Sequence, residues 1–131
     1  MVCLDSDILI NYLRREQRAI NLFKKSQEEG KQLCTTSINS FELIKGIPRS
    51  SKVDKQKVLD FLSNFKIYEF DFEVSRIAAE IFENLKSNGQ MIDLTDIMIA
   101  STVIKNGETL ATLNLSHFNR INNLQIENNF T

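Results

Sequence analysis

The chain has 131 residues, 42% of them apolar and 25% charged, with a formal net charge of −1. That length suits one globular domain, spanning 1–131, with a sizeable hydrophobic core. The near-neutral balance excludes a strongly basic nucleic-acid coat, and no apolar run approaches a membrane span.

Val2 to Leu4 is a short apolar stretch that predicts a buried strand. It follows Met1 without the charged-then-apolar pattern of a secretory leader, which points to the cytoplasm. Ser6 suits a helix N-cap, with Asp7 in the first turn and Ile8, Leu9, Tyr12 and Leu13 at helical spacing. A second helix is predicted from about Glu16 to Glu29, with Ala19, Ile20, Leu22 and Phe23 inward and Gly30 as its stop. "QLCTTS" (Gln32 to Ser37) predicts a second strand, and "NSFELIKG" a helix closed by Gly46 and Pro48. "KVDKQKVLDFLSNF" predicts an amphipathic helix with Val53, Val58, Leu59 and Leu62 inside. "KIYEFDF" reads as a third strand, and "EVSRIAAEIFENL" as a long helix stopped by Asn88-Gly89. "IDLTDIMIASTVIKNG" is the most apolar helix and should be largely buried. "TLATLN" is a fourth strand, "SHF" a tight turn and "LQIEN" a last short strand.

Cys3 and Cys34 fall inside the first two strands and read as reduced core thiols. With no C-x-x-C and one histidine, a Cys/His zinc site is excluded, and a Ser-His-Asp or Cys-His enzyme would rest on His117 alone. Lys45, Arg49, Lys52, Lys55 and Lys57 form one basic run, and Arg14, Arg15 and Arg18 another. Both read as solvated helix faces able to contact phosphates.

Strands alternate with helices throughout, which predicts a parallel sheet covered on both faces, with every strand-to-helix junction at one edge. The acids gather at those junctions. Asp5 ends the first strand, Glu42 lies in the helix after the second, and Asp93 and Asp96 open the buried helix. Two such charges about 4 Å apart repel by roughly 4 kcal/mol at an effective dielectric near 20, so protons or a divalent cation must relieve them. Oxygen-only ligands point to Mg2+ or Mn2+. A divalent ion held by carboxylates suits attack of an activated water on a phosphodiester, the chemistry of a metal-dependent nuclease. Simpler roles compete. Asp7 reads as complementing the helix dipole, Asp93 as the N-cap of "DLTD", and Glu42 equally well as the far end of a capping box opened by Asn39. Asp96, one turn into an apolar helix, needs a partner and is assigned to the site.

"CLDSDILI", "TTSINSFELIKG" and "IDLTDIMIASTVIKNGETLATLN" followed by "HF" resemble, in order, the motifs of the PIN-domain family. Within it they resemble the VapC-type ribonuclease toxins of type II toxin–antitoxin systems. The resemblance covers nearly the whole chain. It implies a three-layer α/β/α fold with a mostly parallel sheet of about five strands, and Mg2+- or Mn2+-dependent endonuclease cleavage of RNA. The family's catalytic and metal-binding acids map onto Asp5, Glu42 and Asp96; Asp93 and Asn114 are candidate further ligands outside that mapping. Ser6 and Thr112 map onto substrate-positioning places, and Asn114 can coordinate or position water through its amide oxygen. The resemblance also implies a homodimer and a cognate antitoxin that reaches into the acidic pocket. One departure stands out: where many relatives carry a fourth acid, this chain has Asn114 and His117. His117 reads as a surface or capping residue rather than a base. Two alternatives remain: a haloacid-dehalogenase-like phosphatase with Asp5 as nucleophile, and a non-catalytic PIN-like module that binds RNA or protein.

Overall fold

Four short parallel strands make the centre of the molecule: β1 (Val2–Leu4), β2 (Leu33–Thr36), β3 (Lys66–Tyr68) and β4 (Thr109–Ala111), ordered β3-β2-β1-β4. The computed structural model describes residues 1–48 and 52–127, with the side chains of Lys52 and Val53 excepted. Arg49, Lys52 and Val53, named above in the basic run and the helix stripe, therefore lie outside the described residues or side chains. Cys3 pairs with Cys34 on one side and with Leu110 on the other. The strand period of two sends alternate residues to opposite faces. Val2, Leu4 and Ala111 pack with Ile8, Leu9, Ala19, Leu22, Leu43 and Leu62. Cys3, Cys34 and Leu110 pack on the other face with Ala78, Leu85, Ile99, Val103 and Phe118.

The first face is covered by α1 (Ser6–Leu13), α2 (Gln17–Glu28), α3 (Ser37–Lys45) and α4 (Lys52–Leu62), the second by α5 (Phe72–Ser87) and α6 (Leu94–Lys105). This is the expected three-layer α/β/α arrangement. The sheet has four strands where about five were expected. The segment "LQIEN" makes only a bridge, Leu110 to Ile126, and "SHF" lies in a one-turn helix, α7 (Leu115–Phe118). In α4 the stripe is shifted: Leu62 is buried as predicted, whereas Leu59 is 39% exposed.

The helix starts differ from expectation in a way that matters for the site. Asp5, not Ser6, is the N-cap of α1. Thr36, not Asn39, caps α3, accepting from the Asn39 backbone N–H. Asp93 does occupy the N-cap position of α6, but its side chain makes no capping bond. The buried α6 satisfies its own hydroxyls, since Ser101 and Thr102 donate to the carbonyls of Ile97 and Met98 at 2.6 and 2.8 Å.

Gly107 leaves α6 with φ of 66°, and a Cβ built there would meet no atom within 4 Å. The cost of Gly107→Ala is then conformational alone, about 1 kcal/mol. Thermal denaturation should show a melting point lower by roughly 3 °C.

Candidate active site

The chain steps outward from β1 to β2 to β3, then crosses back to place β4 on the other side of β1. The loops leaving β1 and β4 therefore diverge, and the crevice between them is where open α/β sheets bind ligands. Asp5 stands on one side of that crevice and Thr112 on the other. The Thr112 hydroxyl donates to Asp5 Oδ2 at 2.6 Å. The backbone extends the same contact, with Asp5 N–H donating to the Ala111 carbonyl at 3.0 Å.

Asp5 is 6% exposed. Its Oδ1 accepts from the Ser6 backbone N–H at 2.8 Å and from Asn39 Nδ2 at 2.9 Å. Asn39 is fully buried and also donates to Ser6 Oγ at 2.9 Å, while its own amide oxygen accepts from the Thr36 hydroxyl at 2.7 Å. Ser6 Oγ in turn donates to Glu42 Oε1 at 2.8 Å. One network thus brings Asp5 and Glu42 to the same place from two different helix starts. Because Thr36 caps α3, Glu42 is released from the capping box that its spacing to Asn39 allowed.

Asp96 opens α6 as a buried acid. Its Oδ2 accepts from Asn114 Nδ2 at 3.1 Å and lies 2.8 Å from His117 Nδ1. Asp93, one turn earlier and exposed, completes a group with Asp96 and His117 in which one donor atom from each lies within 4.8 Å of the others. Asn114 also donates its backbone N–H to Thr112 Oγ1 at 3.0 Å, so the β4 loop touches both halves of the site.

Three participants were not assigned to the site by sequence reasoning. Asp7 is more than a dipole partner: its Oδ2 accepts from the Leu113 backbone N–H at 2.9 Å, and its buried Oδ1 has no hydrogen-bond partner. Asn39 was seen only as a cap, and its complete burial beside Asp5 has no local sequence signal. His117 was set aside as a surface residue. Its position, like that of Asn114, follows from α7, where the fully buried Phe118 fixes the short helix against the core. The expectation that no histidine stands near these acids is corrected by its 2.8 Å contact with Asp96.

The electrostatics show what the arrangement lacks. Burial, above all, pushes Asp5 up to about 7. The Asp7 and Asp96 charges add to this, against the lowering effect of the Thr112 and Ser6 hydrogen bonds. Asp7 is also raised, by burial first and by the charge of Asp96. Among the described residues, no Lys or Arg forms an ion pair with Asp5, Asp7, Glu42 or Asp96. Each partner named above for Asp5, Asp7 and Glu42 is a neutral group. A buried carboxylate oxygen without a donor, in a cluster short of positive charge, fits a divalent cation by the chemistry of the donors alone.

The PIN domain family model matches residues 2–124. Ribonuclease VapC2 of Rickettsia felis is 36% identical over 98 residues, 73% of each chain. Ribonuclease VapC1 of Methanocaldococcus jannaschii is 30% identical over 121 residues, 92% of this chain and 80% of that protein. Among solved structures, VapBC2 from Rickettsia felis bound to a DNA fragment from their promoter includes a chain that superposes with a TM-score of 0.85 at 30% identity, covering 98% of both chains.

Proposed function

The chain belongs to the PIN domain family, and from that premise we propose that it is a VapC-like endoribonuclease that hydrolyses RNA phosphodiester bonds with the help of Mg2+ or Mn2+. The observation that carries this reading is the cluster of Asp5, Asp7, Glu42 and Asp96 at the switch point, with no Lys or Arg ion pair to these four among the described residues. The relatives named ribonucleases support it.

Asp5, Glu42 and Asp96 would hold the ion, with Asp93 and Asn114 within reach of Asp96. When bound, a divalent cation lowers the pKa of water and offsets charge on the phosphate. The chain's own groups do the positioning. Thr112 and Asn39 hold the Asp5 carboxylate by its two oxygens, Ser6 aims Glu42, and Asn114 aims Asp96. We assign the two hydroxyls, Ser6 and Thr112, to positioning these acids as much as to positioning substrate.

An antitoxin partner is supported by the VapBC assembly among the solved relatives. We place its contact on the groove lined by Tyr12, Phe23, Phe61 and Phe65, a cavity of about 430 Å3 in which Tyr12 and Phe23 stack at 3.8 Å between ring centroids. A homodimer and action in the cytoplasm complete the proposal.

RNA cleavage by the purified chain is expected with Mn2+ or Mg2+, to stop on chelation and to return with excess ion. Asp96→Asn should cut the rate by about a hundred-fold or more, the order lost when a group acting on transition-state charge is removed. Cleavage that persists in chelator would overturn the reading. Binding of RNA without turnover would turn it into the binding-module alternative.

A further inference from the structure

We propose that His117 is a metal ligand, so that Asp93, Asp96 and His117 present a mixed nitrogen–oxygen donor set that takes Mn2+ in preference to Mg2+. The inference rests on the ribonuclease reading only in that a divalent ion visits this edge of the sheet.

The geometry comes first. His117 Nδ1 and Asp96 Oδ2 are 2.8 Å apart, and one donor atom of Asp93 lies within 4.8 Å of both. Two donors each about 2.1 Å from one ion and at right angles to each other are roughly 3 Å apart, and opposed donors roughly 4 Å apart. The three side chains therefore need only a small inward movement of Asp93 to close on a single ion. Asp93 is placed to make it. It stands at the N-cap of α6, where an aspartate ordinarily accepts from the backbone of the first turn, yet its side chain makes no such bond. His117 is held from the other side by α7, between Asn114 on Asp96 and the buried Phe118. The unpartnered, buried Oδ1 of Asp7 belongs to the same charge cluster, since the Asp96 charge helps to raise Asp7.

The chemistry decides the ion. Mg2+ favours hard oxygen donors and gives up its water reluctantly, whereas an imidazole nitrogen is an ordinary ligand for first-row transition ions. Replacing an acid by His117 lowers the negative charge offered and exchanges an oxygen for a nitrogen. The exchange of oxygen for nitrogen is what disfavours Mg2+ relative to Mn2+, since both ions carry the same charge.

His117 is the only histidine in the chain, so with any purification tag removed an imidazole signal on bound Mn2+ has one source. The experiment is electron paramagnetic resonance of the full chain titrated with Mn2+, with spin-echo modulation to detect 14N coupling, and Mg2+ competition to give the affinity ratio. The wild type should show 14N modulation and bind Mn2+ at least ten-fold tighter than Mg2+. His117→Ala should lose the modulation and weaken Mn2+ about ten-fold while changing Mg2+ less than two-fold. His117→Asp should bring the Mn2+/Mg2+ ratio down by restoring an oxygen donor. Mn2+ bound without 14N modulation, and equally tightly by His117→Ala, overturns the inference and leaves His117 as a hydrogen-bond partner of Asp96. Nitrogen coupling in a protein that does not cleave RNA keeps this inference and sinks the ribonuclease reading. Metal-dependent cleavage without nitrogen coupling does the reverse, and failure of any ion to bind sinks both.

Discussion

At pH 8, without divalent ions, Asp5→Asn should melt higher than the wild type while losing RNA cleavage by a hundred-fold or more. Both effects come from one property of Asp5. Its folded-state pKa is pushed up to about 7 from an ordinary 3.8. Below about pH 3.8 the group is protonated in both states and contributes nothing. Between 3.8 and 7 the unfolded chain has released the proton and the folded one has not, so unfolding becomes easier as pH rises. Above 7 the loss is complete, about 4 kcal/mol at most for a shift of this size. Asp7, also raised, acts in the same direction. An asparagine carries no charge to bury. Its amide donates to Thr112 Oγ1, whose own proton turns toward Asp7 Oδ2, 3.4 Å away. Allowing for one imperfect hydrogen bond, the variant should be about 2–3 kcal/mol more stable at pH 8, or some 6–10 °C in melting temperature. At pH 4 the two proteins should melt within a degree or two of each other. Mn2+ should stabilise the wild type at pH 8 far more than the variant, because a bound ion supplies the charge that the fold leaves out. A variant that is less stable than the wild type at pH 8 would show that Asp5 is not carrying unrelieved charge.

The second large effect is expected at Asn39. This side chain is fully buried and links Thr36, Ser6 and Asp5. Asn39→Leu preserves volume but leaves the Thr36 hydroxyl without its acceptor and removes one donor each from Ser6 and Asp5. At about 1–3 kcal/mol for a buried group left unsatisfied, the total should be near 3 kcal/mol. It would be read as a lower urea midpoint with an unchanged slope. Cleavage should fall as well, since Ser6 is what aims Glu42. Asn39→Asp separates the packing role from the electrostatic one. Protonated, it can still satisfy its neighbours. Ionised, it adds a further buried charge beside Asp5, so its deficit should be markedly larger at pH 8 than at pH 5.

Much of this molecule was legible from the chain alone, and for definite reasons. Alternating strand and helix patterns with short connections leave few ways to bury both faces of each strand, so the parallel three-layer arrangement followed from periodicity. Handedness of the crossovers then put the strand-to-helix junctions at one edge, which is why Asp5, Glu42 and Asp96 were the acids to watch. What periodicity cannot convey is contact between side chains far apart in sequence. Asp93 was assigned as a cap because local spacing favoured it, and it does sit at the N-cap; the structure differs in leaving its side chain free to meet Asp96 and His117. Glu42 fits a capping box and the site equally well by spacing; the structure separates the two, because Thr36 takes the cap and Ser6 takes Glu42. Asp7 looked like a helix-dipole partner until β4 arrived beside it from more than a hundred residues away and brought the Leu113 backbone N–H.

The sequence by itself determined the layers, the edge where the strand-to-helix junctions gather and the acids that stand there, because those depend on hydrophobic period and chain direction. Only the tertiary structure decided which neutral groups hold each acid, that Asp5 is left with charge it cannot share, and that the lone histidine faces Asp96. Such facts depend on which side chains meet across the crevice between β1 and β4, where partners are chosen by packing and not by spacing along the chain.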